Sequence, residues 1–298
     1  MDEHKAGLDA TEQPGAGGEG PTVQDAGDLE EALALFRSRL FEKPGRYGLE
    51  YLTVKRGYAR DEIEGMELGF FSQRQDVKIA LGEERFESLG FETVKEFGQA
   101  HKIIIPCRDA GGRLQGFIAR RIDSNRPKYI YSPQVDRDSL FNLHTVKNVS
   151  AVYVTEGYFD ALIATQRGIT GVVATGFSAL TERMLADLMN RGITSLTLIP
   201  DNDMAGLRSA AASLEMAKGK GVESFVLELP EQYKDLDEFM RHEGVKGFGK
   251  LSGRVKAAHT WEVQALLSRR SNIKVRIKSA NTSGTAQTYY ISRGNQNR

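Results

Sequence analysis

The chain has 298 residues, long enough for two domains, and its hydrophobic (40%) and charged (27%) fractions are ordinary for a globular protein. Lysine plus arginine and aspartate plus glutamate balance at 40 each, so the net charge indicates no particular class of partner. The single cysteine excludes an internal disulfide, no Cys/His cluster has zinc-site spacing, and no apolar run approaches the ~20 residues that span a bilayer.

The two ends of the chain carry opposite charge. Residues 1–28 contain seven acidic residues and one basic residue, whereas residues 254–298 contain nine basic residues and one acidic residue. The N-terminal segment is also rich in glycine and poor in apolar residues, so we predict a disordered acidic tail over 1–27. Over 250–298 we predict a basic tail, in which "KVRIKS" and "TYYIS" form a hairpin. The N-terminus has no apolar signal core, so we expect a cytoplasmic protein with no membrane partner.

Residues 28–149 have the pattern of an α+β subdomain. From Asp28, "DLEEALALFRSRLF" places apolar residues at helical spacing, and further helices are predicted over 46–56, 60–66 and 83–89. The segment "KIIIPCRDAGGRLQGFIARRID" then has two strand-like runs around the turn "DAGG", which predicts a hairpin, and "RPKYIYSP" continues the same sheet.

Residues 150–249 alternate between predicted strands and helices. The strands are "AVYVTEG", "TGVVATG", "SLTLIP" and "ESFVLELP", and a helical pattern follows each of them. Four such units with short connections predict a mostly parallel sheet covered by helices, while the strand order stays open. The predicted fold class is therefore α/β: an α+β N-terminal subdomain followed by a mostly parallel α/β sheet.

Six carboxylates are expected at one edge of this sheet. Ligand sites in open α/β sheets gather outside the carboxyl ends of the strands, and the acids there are Glu156, Asp160, Asp201, Asp203, Asp235 and Asp237. Such a group repels itself unless some members are protonated or cations lie among them. Because all the candidate ligands are oxygens, Mg²⁺ or Mn²⁺ is the expected metal, and we expect no zinc site.

Each of these acids also has a structural explanation. Aspartate is common after strands as a turn former and helix cap, and Asp235 or Asp237 taken alone predicts an N-cap. The metal prediction therefore depends on the joint pattern, a Glu-Gly pair after one strand and Asp-x-Asp after two others.

Three segments resemble the motifs of the Toprim domain, which occurs in DnaG-type primases, topoisomerases and some nucleases. They are "VTEGYFDALIATQRG", "IPDNDMAG" and "KDLDEFMR". The resemblance implies that Glu156, Asp201 and Asp203 form the catalytic metal site. It also implies that Asp160, Asp235 and Asp237 are supporting acidic positions of that site.

The preceding segments narrow the resemblance to DnaG-type primases. Both "YLTVKRGYARDEIEGMELGFF" and "IIIPCRDAGGRLQGFIARRIDSNRPKYIYSP" are similar to the RNA-polymerase-like subdomain of those primases, which topoisomerases and small Toprim nucleases lack. The resemblance implies that Arg120 and Lys128 face the acidic site and contact template or nucleotide phosphates. Arg56 and Arg121 are further candidates for that role.

The implied function is that of a DNA primase. Such an enzyme makes short RNA primers on single-stranded DNA by metal-dependent nucleotidyl transfer from ribonucleoside triphosphates. Two alternatives remain open at this point. The same acids serve a Toprim-family nuclease, and a degenerate core with a basic tail would be a non-catalytic nucleic-acid-binding module.

The chain departs from the family pattern in two places. Full-length primases of this kind carry an N-terminal zinc domain and a C-terminal helicase-binding domain, and this sequence has neither pattern. We therefore expect a phage, plasmid or mobile-element version. We also expect a replicative helicase, or a separate zinc-binding or initiation protein, as a further partner.

Overall fold

A computed structural model describes residues 23–176, 178–257, 275–276 and 290–291. Two larger sheets organise this part of the chain, one in each half. We call residues 23–131 the antiparallel unit and residues 151–257 the parallel unit. The predicted α/β fold class, with its α+β first half, is confirmed.

The antiparallel unit combines short helices with a four-stranded sheet. Its helices are α1 (Val23–Phe41), α2 (Arg46–Glu50), α3 (Arg60–Gly65), α4 (Arg74–Leu81) and α5 (Glu83–Ser88). Helix α2 continues directly into a π-helical turn, Tyr51–Lys55. The strands pair in chain order as β1 (Gly69–Phe70), β2 (His101–Arg108), β3 (Leu114–Arg121) and β4 (Tyr129–Tyr131).

The predicted hairpin and the helices predicted over 46–56, 60–66 and 83–89 are confirmed. In the turn between β2 and β3, Asp109 Oδ1 accepts hydrogen bonds from the backbone N–H groups of Gly111 (2.8 Å) and Arg113 (3.0 Å). Helix α4 was not predicted, because only Val77 and Leu81 of its eight residues are buried. Two apolar contacts in two turns leave too little periodicity to recognise.

Helix α1 begins at Val23 rather than at Asp28, so the last five residues of the predicted tail are helical. Gly27 lies in this added turn and lowers helix propensity by about 1 kcal/mol relative to alanine. The turns that follow are buried through Leu29, Leu33 and Phe36, and this packing stabilises the extension. The remainder of the predicted tail lies outside the described residues.

An aromatic cluster joins α1 to its sheet. The ring of Phe36 lies 5.1 Å from that of Phe71, 5.7 Å from Phe91 and 5.2 Å from Phe117, measured between centroids. Gly69 in β1 allows this close approach, because a Cβ atom there would lie 2.6 Å from Cβ of Phe36. The helix therefore covers one face of the sheet and leaves the other for the parallel unit.

The parallel unit is a five-stranded sheet with helices on both faces. In chain order its elements are β5 (Ala151–Thr155), α6 (Tyr158–Gln166), β6 (Val172–Ala174), α7 (Glu182–Asn190), β7 (Ser195–Leu198), α8 (Met204–Gly219), β8 (Glu223–Val226), α9 (Leu236–Ser252) and β9 (Lys256–Ala257). The spatial order is β6-β5-β7-β8-β9, in which the first four strands are parallel and β9 is antiparallel to β8. The four predicted strand–helix units are confirmed.

The parallel unit extends past the predicted boundary at residue 249. Gly244 has a φ of +60° inside α9, so the chain leaves helical geometry there and then resumes the helix. A glycine of this kind indicates a helix end in the sequence, although packing of Phe248 and Leu251 continues the element. Farther on, β10 (Val275–Arg276) pairs antiparallel with β11 (Tyr290–Ile291), as the predicted hairpin requires. The rest of the predicted basic tail lies outside the described residues.

One hydrophobic cluster crosses from one unit to the other. Helices α7 and α8 cover one face of the parallel sheet, while α6 and α9 cover the face turned toward the antiparallel unit. There Phe159 and Leu236 belong to the same buried cluster as Tyr58, Ile63 and Ile105. This shared core fixes how the two units face each other. None of the described helices has both the length and the apolar composition that a membrane span requires.

Candidate active site

Two neighbouring strands bring the expected metal-binding residues together. β5 and β7 are adjacent and parallel, with Val154 opposite Leu198, so the chain leaves both strands at the same edge of the sheet. Glu156 follows β5, while Asp201 and Asp203 follow β7. A Cβ atom on Gly206 would lie 2.7 Å from Glu156 Oε1 and 2.6 Å from the carbonyl oxygen of Asp201. Glycine is therefore needed where the first turn of α8 meets these acids.

Asp203 has a structural role in addition to the predicted one. Its Oδ1 accepts hydrogen bonds from the backbone N–H groups of Ala205 and Gly206, each at 2.9 Å, and so caps α8. A capping carboxylate stabilises the positive end of the helix dipole. The cap holds Asp203 beside Asp201 in extended geometry.

The electrostatics of Glu156 and Asp201 suit a divalent cation. Burial, opposed by an N–H bond from Asp201 and reinforced by the charge of Asp203, raises the pKa of Glu156. Its Oε1 is buried and finds no hydrogen-bond donor among the described residues. Burial, followed by the charges of Glu156, Asp235 and Asp203, raises the pKa of Asp201 to about 7. A divalent cation bound by oxygen ligands would relieve both features.

The acids are not arranged as a complete metal-coordination site among the described residues. Within the described parts of the chain, no three acidic, histidine or cysteine side chains are grouped closely enough to hold an ion. Asp235 lies near Asp201 and caps α9, since its Oδ1 accepts the N–H of Glu238 at 2.9 Å. The sequence-based expectation of an N-cap at this position is therefore met.

Asp160 and Asp237 are buried and engaged with other partners. The two oxygens of Asp160 accept the backbone N–H groups of Gly157 and Asp237. Burial, followed by the charges of Asp235, Asp201 and Asp237, holds the pKa of Asp160 well above its ordinary value. Asp237 accepts hydrogen bonds from Arg56 and Tyr58 of the antiparallel unit. These two acids thus lie next to the site, and their oxygens are used in protein contacts.

Two guanidinium groups from the antiparallel unit share one phenol. Tyr51 Oη accepts hydrogen bonds from Nε of Arg56 (3.1 Å) and from Nε of Arg120 (2.8 Å). Arg120 also donates to the hydroxyl of Tyr129, and the guanidinium of Arg56 lies 4.5 Å from the ring centroid of Phe159. Burial raises the pKa of Tyr51, but the two guanidinium charges outweigh it and the pKa is lowered. The rings hold both cations in fixed positions, which suits phosphate binding.

Lys128 lies among these cations. Burial, followed by the charges of Arg120, Lys234 and Arg56, lowers the pKa of Lys128 to about 8, and Asp235 only partly offsets them. An added phosphate would favour the charged form of this lysine. The fourth candidate, Arg121, is not in the site. It forms an ion pair with Asp123 (Nε to Oδ1, 2.7 Å), because neighbouring residues of a strand point to opposite faces of the sheet.

The basic residues line a cleft of about 440 Å³ between the two units. Asp235 and Asp237 form part of its acidic side. Its lysines and arginines are Lys55, Arg56, Arg120, Arg126, Lys128, Lys234 and Arg241. Four of them were not predicted from the sequence: Lys55, Arg126, Lys234 and Arg241. Lys234 directly precedes a predicted metal acid in "KDLDEFMR", so that motif contained the signal for it.

Asn202 was also missed, although it stands between the two acids of the second motif. Its Nδ2 donates to the carbonyl oxygens of Pro230 (2.9 Å) and Tyr233 (2.6 Å). Its backbone N–H donates to the carbonyl oxygen of Lys234 (2.7 Å). The residue thus ties the loop after β7 to the loop that leads into α9. It sets Asp201 relative to Lys234 and Asp235.

Two protein families and several DNA primases are similar to this chain. The family described as "DNA primase catalytic core, N-terminal domain" matches residues 35–147, and the one described as "Toprim-like" matches residues 153–240. The chain is 29% identical to a DNA primase of Geobacillus stearothermophilus over 275 residues, which is 84% of this chain and 45% of that protein.

Solved structures share the fold. The zinc-binding and RNA polymerase domains of Aquifex aeolicus primase superpose with a TM-score of 0.67 at 27% identity, covering 78% of this chain and 61% of that one. A DnaG primase catalytic domain bound to single-stranded DNA superposes with a TM-score of 0.65 over 82% of this chain and 81% of that one. At 22% identity, the second likeness concerns the fold alone.

The fold and the paired domains define the class as a primase-type catalytic core with a Toprim-like domain. The chain carries the N-terminal catalytic-core and Toprim-like domains of DnaG-type DNA primases. It spans less than half the length of the curated relatives it matches.

The raised pKa of Asp201 predicts how stability depends on pH without divalent ions. Between the ordinary carboxyl pKa and about 7, the native protein holds a proton that the unfolded chain has released, so this group lowers the free energy of unfolding as pH rises. In EDTA, Asp201→Asn should raise that free energy by about 1–2 kcal/mol at pH 8 and by less at pH 5. Urea denaturation at both pH values measures the difference.

Asp138→Asn, at an exposed aspartate outside the cleft, is the control and should show the same small effect at both pH values. An Asp201→Asn effect that does not depend on pH would contradict the assigned environment of Asp201.

The lowered pKa of Lys128 predicts how anion binding depends on pH. The affinity of the full chain for inorganic triphosphate should fall as pH rises from 7 to 9, because Lys128 loses its charge near pH 8. Lys128→Arg keeps the charge and should flatten the profile, whereas Lys128→Ala should weaken binding roughly 5- to 30-fold at pH 7. Isothermal titration calorimetry gives all three profiles. Identical profiles for the wild type and Lys128→Arg would rule out Lys128 as the titrating group.

Proposed function

We propose that the protein is the catalytic core of a DNA primase, which synthesises short RNA primers on single-stranded DNA from ribonucleoside triphosphates. The observation that carries the proposal is the position of the charges. The cations of the antiparallel unit line the cleft together with Lys234 and Asp235. The carboxylates that follow β5 and β7 lie beside that lining, since Lys234 acts on the charges of Glu156 and Asp201, and Asp235 on that of Asp201. Nucleotidyl transfer needs both, since the reacting groups are anionic phosphates and a hydroxyl that must lose its proton.

In this proposal the acidic residues bind the metal ion and the basic residues bind phosphate. Glu156, Asp201 and Asp203 would hold the divalent ion, with the second oxygen of Asp203 left over from its capping bond. When bound, Mg²⁺ or Mn²⁺ supplies positive charge that activates a 3′-hydroxyl and offsets the triphosphate charge. Arg120, Arg56 and Lys128 would bind phosphate oxygens, with both guanidinium groups already oriented by Tyr51.

The template proposal rests on the same cleft. A lining rich in lysine and arginine, with the Tyr51 ring among them, suits the phosphates and bases of a single strand. One fold neighbour is a DnaG primase catalytic domain bound to single-stranded DNA, which supports the assignment by similarity of fold. As a replication enzyme the protein would act in the cytoplasm. A helicase or separate initiation partner, and an origin in a mobile element, stay predictions.

We also propose the division of the chain that the sequence suggested, with one change. The two family matches fall inside 28–149 and 150–249. Helix α9 ends at Ser252, and β9 then adds a strand to the second sheet, so we propose that the Toprim-like domain extends to residue 257.

The test is incorporation of labelled ribonucleotides on single-stranded DNA with Mg²⁺ or Mn²⁺, with and without a short annealed RNA primer. The wild type should extend the primer, and Asp201→Ala/Asp203→Ala should lose at least about 100-fold in rate, as expected when metal ligands are removed. Glu215→Ala removes an exposed carboxylate from α8 and should leave the rate unchanged.

The other outcomes separate the alternatives. Degradation of the template in place of synthesis would favour the Toprim-family nuclease. DNA binding without metal-dependent chemistry would favour the non-catalytic binding module. Synthesis without the annealed primer would mean that the chain initiates without a separate zinc-binding protein.

A further inference from the structure

Asp237 connects the two units through a buried ion pair. The residue is 2% exposed and lies in the first turn of α9. Its Oδ2 accepts a hydrogen bond from Nη1 of Arg56 at 2.5 Å, and its Oδ1 accepts one from the hydroxyl of Tyr58, also at 2.5 Å. Arg56 and Tyr58 belong to the antiparallel unit, so both oxygens of Asp237 are engaged across the interface.

Asp160 joins Asp237 to the loop that carries Glu156. It is 4% exposed, and its Oδ1 accepts the backbone N–H of Asp237 at 2.7 Å. Its Oδ2 accepts the backbone N–H of Gly157 at 3.1 Å. Gly157 directly follows Glu156, so Asp160 fixes the start of α6 relative to the start of α9.

On the other side of Asp237 the contacts continue to Arg120. Arg56 donates to Tyr51 Oη through Nε, and Arg120 donates to the same oxygen. A continuous path of hydrogen bonds therefore runs from the Glu156 loop to the cations of the cleft. Its members are Gly157, Asp160, Asp237, Arg56, Tyr51 and Arg120. We call this path the buried link.

The existing contacts of these two acids disfavour a metal ion. An ion on Asp237 would have to displace or lie against the guanidinium of Arg56, and buried like charges at contact distance are strongly unfavourable. An ion on Asp160 would compete with two backbone N–H groups from which it already accepts hydrogen bonds. Glu156 differs, because its Oε1 finds no donor within the part of the chain that the structure describes.

We propose that Asp160 and Asp237 are positioning residues and not metal ligands, and that the buried link sets the distance between Glu156 and the phosphate-binding guanidinium groups of Arg56 and Arg120. The inference rests on the proposed function for the identity of the ligand, a ribonucleoside triphosphate. Its content is geometric: the link holds the cations of one unit in register with the metal-binding acids of the other.

Three variants test the proposal in the full chain, with Asp201→Asn as the reference for the loss of a metal ligand. Asp237→Asn keeps the shape of the side chain and removes its charge. Tyr58→Phe removes one bond to Asp237 and leaves the carboxylate in place. Glu62→Gln is the matched control, because Glu62 pairs with Arg167 at 2.6 Å across the same interface, and neither residue lines the cleft.

Two measurements are made on each variant, neither of which needs catalysis. The first is Mn²⁺ affinity without nucleotide, by electron paramagnetic resonance. The second is affinity for a non-hydrolysable ribonucleoside triphosphate at saturating Mn²⁺, by calorimetry. For Asp237→Asn we expect unchanged Mn²⁺ affinity and triphosphate binding weaker by roughly 10- to 100-fold, the loss that a misplaced binding group causes. Tyr58→Phe should show a smaller loss of the same kind, and Glu62→Gln should show neither.

Three results would overturn the proposal. A fall in Mn²⁺ affinity of Asp237→Asn as large as that of Asp201→Asn would make Asp237 a metal ligand. Unchanged triphosphate binding by Asp237→Asn would mean that Asp237 does not position Arg56. Tighter binding would mean that Asp237 competes with the triphosphate for Arg56. An equal loss of triphosphate affinity in Glu62→Gln would mean that the effect comes from a weakened interface and not from the position of Arg56.

Primer synthesis by the same proteins separates this proposal from the proposed function. If the wild type makes no RNA while the variants show the expected binding pattern, the function fails and the positioning role stands. If the wild type makes RNA and the binding pattern is absent, the positioning role fails alone.

Discussion

The ion pair between Asp237 and Arg56 is the contact on which the geometry of the site depends. It joins a residue of α9 to a residue of the antiparallel unit at 2.5 Å, beside the hydrophobic cluster that crosses the interface. A buried pair adds little to stability compared with a well-packed apolar contact, but it tolerates only one geometry. The hydrophobic cluster around Tyr58 and Phe159 holds the two units together, and the ion pair fixes how their charged surfaces meet.

Like charges are crowded both on the acidic side and on the basic side of the site. On the acidic side, Glu156 and Asp201 lie together because β5 and β7 are neighbours, and the pKa values of both are raised. On the basic side, Arg120 and Lys128 lie together, and the pKa of Lys128 is lowered. Each side is under electrostatic strain that a ligand of opposite charge would relieve, a cation for the acids and a phosphate for the bases. A triphosphate bound with a divalent ion supplies both at once.

Much of the fold and part of the site could be predicted from the sequence, and the division has a physical cause. Strand–helix alternation and the "DAGG" turn are local patterns, so they identify the elements, and the rule for ligand sites in parallel sheets locates the acids. The partner of a charged side chain, in contrast, is not determined by its neighbours in the sequence. Arg56 and Asp237 are 181 residues apart, and no periodicity indicates that one neutralises the other. For the same reason the sequence pattern alone does not separate the six acids, although the structure gives four of them helix-capping or bridging contacts: Asp160, Asp203, Asp235 and Asp237. Arg120 and Arg121 could be separated only once strand β3 and its faces were known.

The most direct test of this account is the position of Mn²⁺ in crystals of the full chain grown with a non-hydrolysable ribonucleoside triphosphate, located by anomalous scattering. We expect manganese bound to Glu156 and to Asp201 or Asp203, with triphosphate oxygens against Arg120 and Lys128 and the Asp237–Arg56 pair intact. Manganese bound to Asp160 or Asp237, with Arg56 displaced from the latter, would contradict it.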